Sequence, residues 1–525
     1  MYKRQSSTSL QATYSTFTGV LQSLASNPSD YPTQASVINS AKALAGQLNG
    51  LTTGVQSLRS NCEQSLSDNV TVANNLLKSI ADINSQIAAS PVRGATAASL
   101  LDQRDTDIDQ LAKLMDIRVV PGNGDQVGIF TTTGIQLAGT QASALTFNSR
   151  GAISAASQWN TNPSLSGVGT ITLTDPTGGT IDLVAAKAIK AGQIGAYLQM
   201  RDNILPQAQS QLDQIAASVS SALSDYQTAG AAVAPAGQAG FDINVSNLLA
   251  GNTVKVSYTV APGNTARTLT IKQVNDPAAL PLPSPDPNNQ VVGVDFSSGV
   301  AGALTQLNAI FNSKLQFSSP AGGTLRVLNG GAGTGVTINA VTSTATQPAL
   351  ASGMSQLPFF TDGATPFSDA VTSGGAQATG FAGRISINPT LAANPSALVQ
   401  FQPGTPSGDP TRPTFLAGQL TTANLTFSSQ TGIGTSTAPY NGTVSAFIGE
   451  VLSTQGAAAA SAKGLSDGQD VVVNSLQQSF NSSSGVNIDN EMSNLLTLQT
   501  AYSANARVLT TVHQMFNTLL QAFAA

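Results

Sequence analysis

Residues 484–520 read SGVNIDNEMSNLLTLQTAYSANARVLTTVHQMFNTLL, and the spacing of their apolar side chains decides how the rest of the chain must be organised. Ile488, Leu495, Tyr502, Leu509, Phe516 and Phe523 recur every seven residues. Glu491, Leu498, Asn505, Val512 and Leu519 follow three places on, and Met492, Gln499, Ala506, His513 and Leu520 four on. That is a helix seam of the coiled-coil kind. No proline follows Pro439, so the spacing predicts a helix of ~55 Å running to the end of the chain. Such a helix gains most of its stability from a partner helix, because an isolated one is marginal in water.

Outward from this seam, the N-terminal part carries the same order. Leu10, Tyr14, Phe17, Leu21 and Leu24 alternate four and three apart, and NPSDYP at 27–32 breaks the run. A second seam takes Val37, Ala41, Leu44, Leu48, Leu51, Val55, Leu58 and Cys62, then changes phase through Leu66 and Val70 to Ala73, Leu77, Ile80 and Ile87. Residues 100–115 read as a further helix. Residues 117–137 (IRVVPGNGDQVGIFTTTGIQL) read as a hairpin turning at 122–125, with short strands beyond it up to Leu183. Residues 195–226 are again helical, with Pro206 ending or kinking a first piece.

Between 229 and 439 the texture changes to short β-branched runs punctuated by Gly, Pro, Asn and Asp. Strands are predicted at 253–260, 268–274, 324–328, 336–341, 383–387 and 424–427, with PLPSPDP at 281–287 a stiff exposed connector. Helical pattern returns at Val444. The expected fold is therefore multidomain α+β, a long helical bundle or coiled coil from both chain ends with one or two inserted β-rich outer domains. The expected divisions are a mis-started or spurious segment at 1–7 and a helical bundle at 8–230 with its hairpin and short strands near 117–183. The β-rich insert follows at 231–440, the return helix at 441–484 and the terminal coiled-coil helix at 485–525.

Composition removes whole classes of function. Charged residues form 9% of the 525, against about 25% in an ordinary soluble protein, so surfaces must be built from Ser, Thr, Asn and Gln and can pack side by side with little repulsion. A net charge of -5 without any basic cluster excludes a nucleic-acid partner. Cys62 is the single cysteine and falls on a seam, which excludes an internal disulfide and a cysteine-based metal site. No apolar run approaches the ~18 residues of a membrane span, and the N-terminus has no secretory core, so neither membrane insertion nor a cleaved signal peptide is expected.

His513, the single histidine, lies on the terminal seam, where packing is its expected role; HExxH is absent and a Ser-His-Asp triad would have to use it. Asp102, Asp105, Asp107 and Asp109 could face a cation, but Arg104 among them and a position at the start of a helix favour a solvated face. GGAGTG at 330–335 has no helix after it and reads as a hairpin turn rather than a phosphate loop. A carboxylate pair for glycoside hydrolysis in the insert would leave no spacing signature. No catalytic residue, metal ligand or cofactor site is expected, and the chain does not read as an enzyme.

The terminal run resembles the C-terminal signature of flagellar axial proteins, above all the hook-associated protein 1 family of first hook-filament junction proteins. The resemblance rests on Gly485, Val486, Asn487, Asp489, Glu491, Asn494, Leu495, Leu496, Gln499, Ala501, Tyr502, Ala504, Asn505, Ala506, Arg507, Val508, Phe516, Leu519 and Leu520. LLDQRDTDIDQL at 100–111 and the passage 191–230, with Gln193, Ile194 and Gly195 before a long helix, are similar to that family rather than to flagellin or the hook subunit. The likeness covers about 8–230 and 375–525; nothing specific matches 241–374.

What the resemblance implies is a non-enzymatic structural protein, extracellular in the bacterial flagellum at the hook-filament junction, exported unfolded by the type III apparatus without a cleaved signal. Its implied partners are further copies of itself, the hook protein, the second junction protein and a cytoplasmic export chaperone. The implied assembly and chaperone-binding seam is Ile488, Met492, Leu495, Leu498, Tyr502, Leu509, Val512, Phe516, Leu519, Leu520 and Phe523. Members of the family begin with an apolar helix that pairs with the terminal one; here the basic pentapeptide 1–5 stands instead, and a truncated or mis-started gene is expected. Alternatives are another axial protein, such as the second junction protein or a flagellin, and a surface carbohydrate-binding protein using the insert.

Overall fold

Ser9 begins the first helix, α1 (Leu10–Ser26), by accepting a hydrogen bond from the Ala12 N–H through its hydroxyl. The structure, a computed structural model, describes residues 9–89, 95–235, 237–284, 286, 288–311, 314–484, 492–493, 495–503, 507 and 510. The chain divides into two units, Met1–Leu452 and Ser453–Ala525.

In the first unit, α1 ends at Asn27 in the NPSDYP turn and α2 (Tyr31–Ala89) runs on unbroken for 59 residues, started by the Asp30 carboxylate accepting from the Thr33 N–H. One long helix serves two apolar cores. Val37, Ala41, Leu44 and Leu48 pack with Leu10, Tyr14, Phe17, Leu21 and Leu24 of α1 in the first core. Leu66, Val70, Ala73, Leu77 and Ile80 pack in the second, with Leu111 and Met115 around the end of α3 (Ala95–Leu114) and with the strands that follow.

Those strands are short. β1 (Ile117–Pro121) and β2 (Val127–Thr131) form the hairpin, Pro121 opposite Val127, with Gly124 and Asp125 at positive φ in the turn; β3 (Gln136–Ala138) completes that sheet. β4 (Ala144–Phe147), β5 (Ile171–Thr174) and β6 (Thr180–Asp182) make a second three-stranded sheet. Asparagines on α2 hold both sheets as a neighbouring strand would. Asn84, wholly buried, donates to the Val127 and Gly139 carbonyls and accepts from the Val127 N–H. Asn74 makes the same reciprocal pair with Leu145.

α4 (Gly192–Gln199) passes through a π-helical turn at Met200–Ile204 into α5 (Leu205–Ser224), with Pro206 in the first turn of α5. The predicted interruption is thus a bulge and not a break, since a proline near a helix start lacks only an N–H that would be unpaired anyway.

The β domain starts where α5 stops. β7 (Asp225–Ala229), β8 (Ala231–Val233), β9 (Gly240–Asn244), β10 (Thr253–Val260), β11 (Thr265–Val274), β12 (Asn289–Asp295), β13 (Leu315–Ser318), β14 (Thr324–Asn329) and β15 (Val336–Thr346) form two sheets, ordered β12-β11-β10-β15-β7 and β13-β14-β9-β8. Val254, Val256, Leu269, Ile271 and Val341 of one, and Ile243, Phe317, Leu325 and Val327 of the other, enclose a third core with Ala303 and Leu307 of α6 (Gly299–Phe311). β12 lies parallel to β11, and at Gly293 a side chain would collide with Leu280 and Leu282 of the proline-rich connector, which therefore lies against this strand.

The segment 330–335 departs from expectation. It joins β14 in one sheet to β15 in the other through a single 3-10 turn and so closes no hairpin. The candidates at 383–387 and 424–427 reduce to strands of three and two residues, Ile385–Ile387 and Leu425–Thr426.

After Thr346 the chain returns to the first core. Leu357, Phe359, Phe360, Phe367, Phe381, Leu391, Leu398, Leu416, Leu420 and Phe427 all pack there, carried partly by α7 (Pro389–Ala393) and α8 (Thr411–Thr421). The expected insert, 231–440, is accordingly shared between the third core, up to about Ala345, and the first. α8 was not among the predicted helices; Pro413 lies in its first turn, where a proline is tolerated. Phe17 meets Phe359 and Phe360 edge-on at 5.6 and 5.9 Å, and the Tyr14 hydroxyl donates to the Leu420 carbonyl at 2.7 Å. The α+β class read from the sequence is the class observed.

Between the first and second cores α2 turns polar side chains inward. Leu51 and Leu58, predicted on the seam, are 41% and 54% exposed, while Thr52 and Arg59 are buried in their place. The reason is the neighbour. Thr52 packs on Gly383 and accepts from Gln209, and Arg59 donates to the carbonyls of Arg201, Ser154 and Ser157. Arg201, on the π turn, pairs with Glu63 and Asp202 and donates to the Gly169 carbonyl. Cys62 is buried here as expected, and burial pushes its thiol pKa up.

Candidate assembly surface

α9 (Val444–Ser484) starts in the first unit, and its residues from Ser453 onward belong to the second. Val444, Phe447, Ile448 and Val451, spaced as one helical face, are buried in the first core, with Phe447 stacked on Phe427 at 4.0 Å and 12°. The Thr443 hydroxyl accepts from the Ala446 N–H and starts the helix.

Within the second unit the pattern reverses. Every side chain described from Gly456 onward is exposed, including Leu465 and Val472, seven residues apart, and Val471 and Val473 beside them. The alanine run at 457–460 favours helix without supplying a core. Lys463 and Asp467 pair at 2.9 Å one turn apart in full solvent, a contact worth little.

Further on, residues 495–503 are helical. Met492, Leu495, Leu498 and Tyr502 of the predicted seam are 60%, 62%, 68% and 80% exposed. Fully covering one such aliphatic side chain is worth about 1.5–3 kcal/mol. Leu496 is 59% exposed and, with Val471 and Val473, was missed because these residues lie off the heptad positions. Ile488, Leu509, Val512, Phe516, Leu519, Leu520 and Phe523, together with His513 and residues 1–7, lie outside the described residues.

The apolar groups described on this surface act by packing. Among the described residues no group of His, Cys, Asp or Glu could hold a metal ion, and no helix is long and apolar enough to cross a membrane. In the aspartate group of α3, Asp105 is exposed and Asp107 accepts from Ser79. Arg104, expected in solvent, is instead buried and donates to the Asp125 carbonyl, and Asp102 sits two turns inside α3 rather than at its start.

Comparison with known proteins gives these elements a lineage. Residues 1–244 match the family model for the flagellar hook-associated protein FlgK helical domain, and residues 477–522 match that for the C-terminal region of flagellar basal body rod FlgEFG proteins. The N-terminal part is thus similar to the helical domain of the flagellar hook-associated FlgK family. Flagellar hook-associated protein 1 of Salmonella typhimurium is 29% identical over 230 residues, 43% of this chain and 39% of the relative. The Escherichia coli protein of that name is 29% identical over 231 residues with the same coverage, and the Bacillus subtilis one 30% over 110 residues, 21% of this chain and 22% of the relative. The chain thus matches about two fifths of the length of the enterobacterial relatives. A solved structure of the flagellar hook junction protein FlgK from Burkholderia pseudomallei aligns over 65% of this chain and 57% of that one at 20% identity, with a TM-score of 0.35, too low to carry an argument. The FlgK family is a family of structural flagellar proteins and not of enzymes.

Proposed function

We propose that this chain is a structural subunit of the junction between flagellar hook and filament, and that it assembles through its C-terminal helix. The observation that carries the reading is the apolar stripe Met492, Leu495, Leu498 and Tyr502, more than half in water, in a chain whose residues 1–244 match the FlgK helical domain. A water-exposed stripe at heptad spacing is the form an interhelical joint takes before its partner arrives. The match of residues 1–244 to the FlgK helical domain supports this reading over a rod or hook subunit, whose C-terminal model matches residues 477–522.

In the assembled state the seam forms an inner helical layer with copies of itself, with the hook protein and the second junction protein as axial neighbours. A cytoplasmic chaperone covers the stripe before export through the flagellar type III apparatus, and the protein ends outside the cell. The test is electron microscopy of flagella from a strain lacking the gene. Hooks without filaments, restored by the intact gene, are expected; normal filaments on the deletion strain would refute the assignment.

A further inference from the structure

The chain enters the β domain at Asp225 and leaves it at Thr346, and these two residues are cross-strand partners. The neck between α5 and the β domain is therefore two strands wide. The Asp225 carboxyl group ties it, accepting from Thr346 Oγ1 at 2.8 Å and Ser224 Oγ at 3.0 Å, with the Ser221 hydroxyl as a further donor. Thr346 is wholly buried and bracketed by Asn252, whose Nδ2 donates to Thr346 Oγ1 at 2.9 Å and whose Oδ1 accepts from the Thr346 N–H at 3.1 Å. Ser368 reaches across from the first-core side to the Ala250 carbonyl at 2.7 Å, and Gly251, at φ +96°, passes so close to Ser368 and Asp369 that no side chain fits.

A cavity of about 440 Å³ lies against this neck, bordered by Asp213, Gln214, Asp225, Asn252, Ser368 and Asp369 among others. No cation lines it. The charged group felt by Asp225 is Asp369, of the same sign, and Asp369 is itself paired with Lys272 of β11. Asp213, on α5, is occupied by the Gly380 and Ala382 N–H groups.

We propose that the neck is a proton-dependent latch: with the Asp225 carboxyl neutral the β domain is clamped to the helical core, and with it ionised the clamp slackens and water from the cavity solvates the charge. The electrostatics agree with the geometry. Burial first, then the Asp369 charge, push Asp225 from an ordinary 3.8 up to about 6, against the opposing pull of the three hydroxyls. Because the closed form holds its proton more tightly than the open one, the closing force is full below about pH 4 and is lost as pH rises through about 6. Opening should rise on the order of tenfold between pH 5 and pH 7 and level off above that.

Hydrogen exchange of the full chain, followed at the amides of 226–229 and 342–346 from pH 5 to pH 8 and corrected for intrinsic rates, reads the latch directly. Wild type should show the tenfold rise; Asp225→Asn should be protected and independent of pH; Asp369→Asn, lacking the like charge, should shift the midpoint down. A flat wild-type profile would overturn the latch. So would an Asp225→Asn profile that keeps the wild-type slope, and if that variant does not fold, an unmoved midpoint in Asp369→Asn decides against it.

Discussion

The Arg201 guanidinium and the Glu63 carboxylate meet 3.1 Å apart with 0% and 4% of their side chains in water, between two apolar cores strung along one helix. A buried pair is weak as a source of net stability, yet removing Glu63 leaves Asp202 alone to balance Arg201 beside the Arg59 guanidinium. Glu63→Leu should therefore destabilise the first unit by about 3 kcal/mol, and Arg201→Met likewise, whereas the double replacement Glu63→Leu with Arg201→Met should cost markedly less than the sum. Urea unfolding of the four proteins in a double-mutant cycle checks this; a double-variant loss equal to the sum of the single losses would show that the pair does not act as a unit.

Asn84 fastens α2 to the first small sheet through three hydrogen bonds and has no exposed surface. Asn84→Leu leaves the Val127 N–H and the Val127 and Gly139 carbonyls without these bonds, a loss of about 2–3 kcal/mol. The effect should be local. Exchange at the amides of β1 to β3 should accelerate while the β domain stays protected.

Cys62 is buried, and its thiol is held up in pKa mainly by desolvation, with the carboxylates of Asp202 and Glu63 adding to this against Arg201 and Arg59. A thiol-reactive disulfide reagent should label the native chain slowly, at a rate that follows unfolding as denaturant is added. Fast labelling without denaturant would show that the region between the two cores opens far more readily than its packing indicates.

Leu495 is 62% exposed, so Leu495→Asp should leave thermal unfolding of the first unit unchanged within about 0.5 kcal/mol. Assembly and chaperone binding should nevertheless be abolished, and Leu509→Asp is expected to do the same. Pull-down with the chaperone measures this; retained binding would contradict the seam as the docking surface.

Much of the fold was legible because periodicity records burial. Val37, Ala41, Leu44 and Leu48 are wholly or almost wholly buried where the heptad put them, and β10 runs over Thr253–Val260 as its β-branched residues predict. Leu51 and Leu58 were misread because the pattern continues past the point where the neighbour changes. There α2 faces Gly383 and Arg201 instead of an apolar helix. The aromatic cluster of Phe17, Phe359 and Phe360 was equally invisible, since Phe17 lies more than 300 residues from the other two and local spacing carries no record of their contact.

The sequence by itself determined where the long helices and several strands form, and that an apolar stripe at heptad spacing lies within 488–523, because these follow from residue order. Only the tertiary structure decided that one helix spans two cores across a buried ion pair, and that residues beyond Thr346 rejoin the first core. It also placed a carboxyl group at the neck of the β domain. Each of these depends on which distant segment supplies the opposite surface, and the free energy of burying a side chain is set by that surface as much as by the side chain itself.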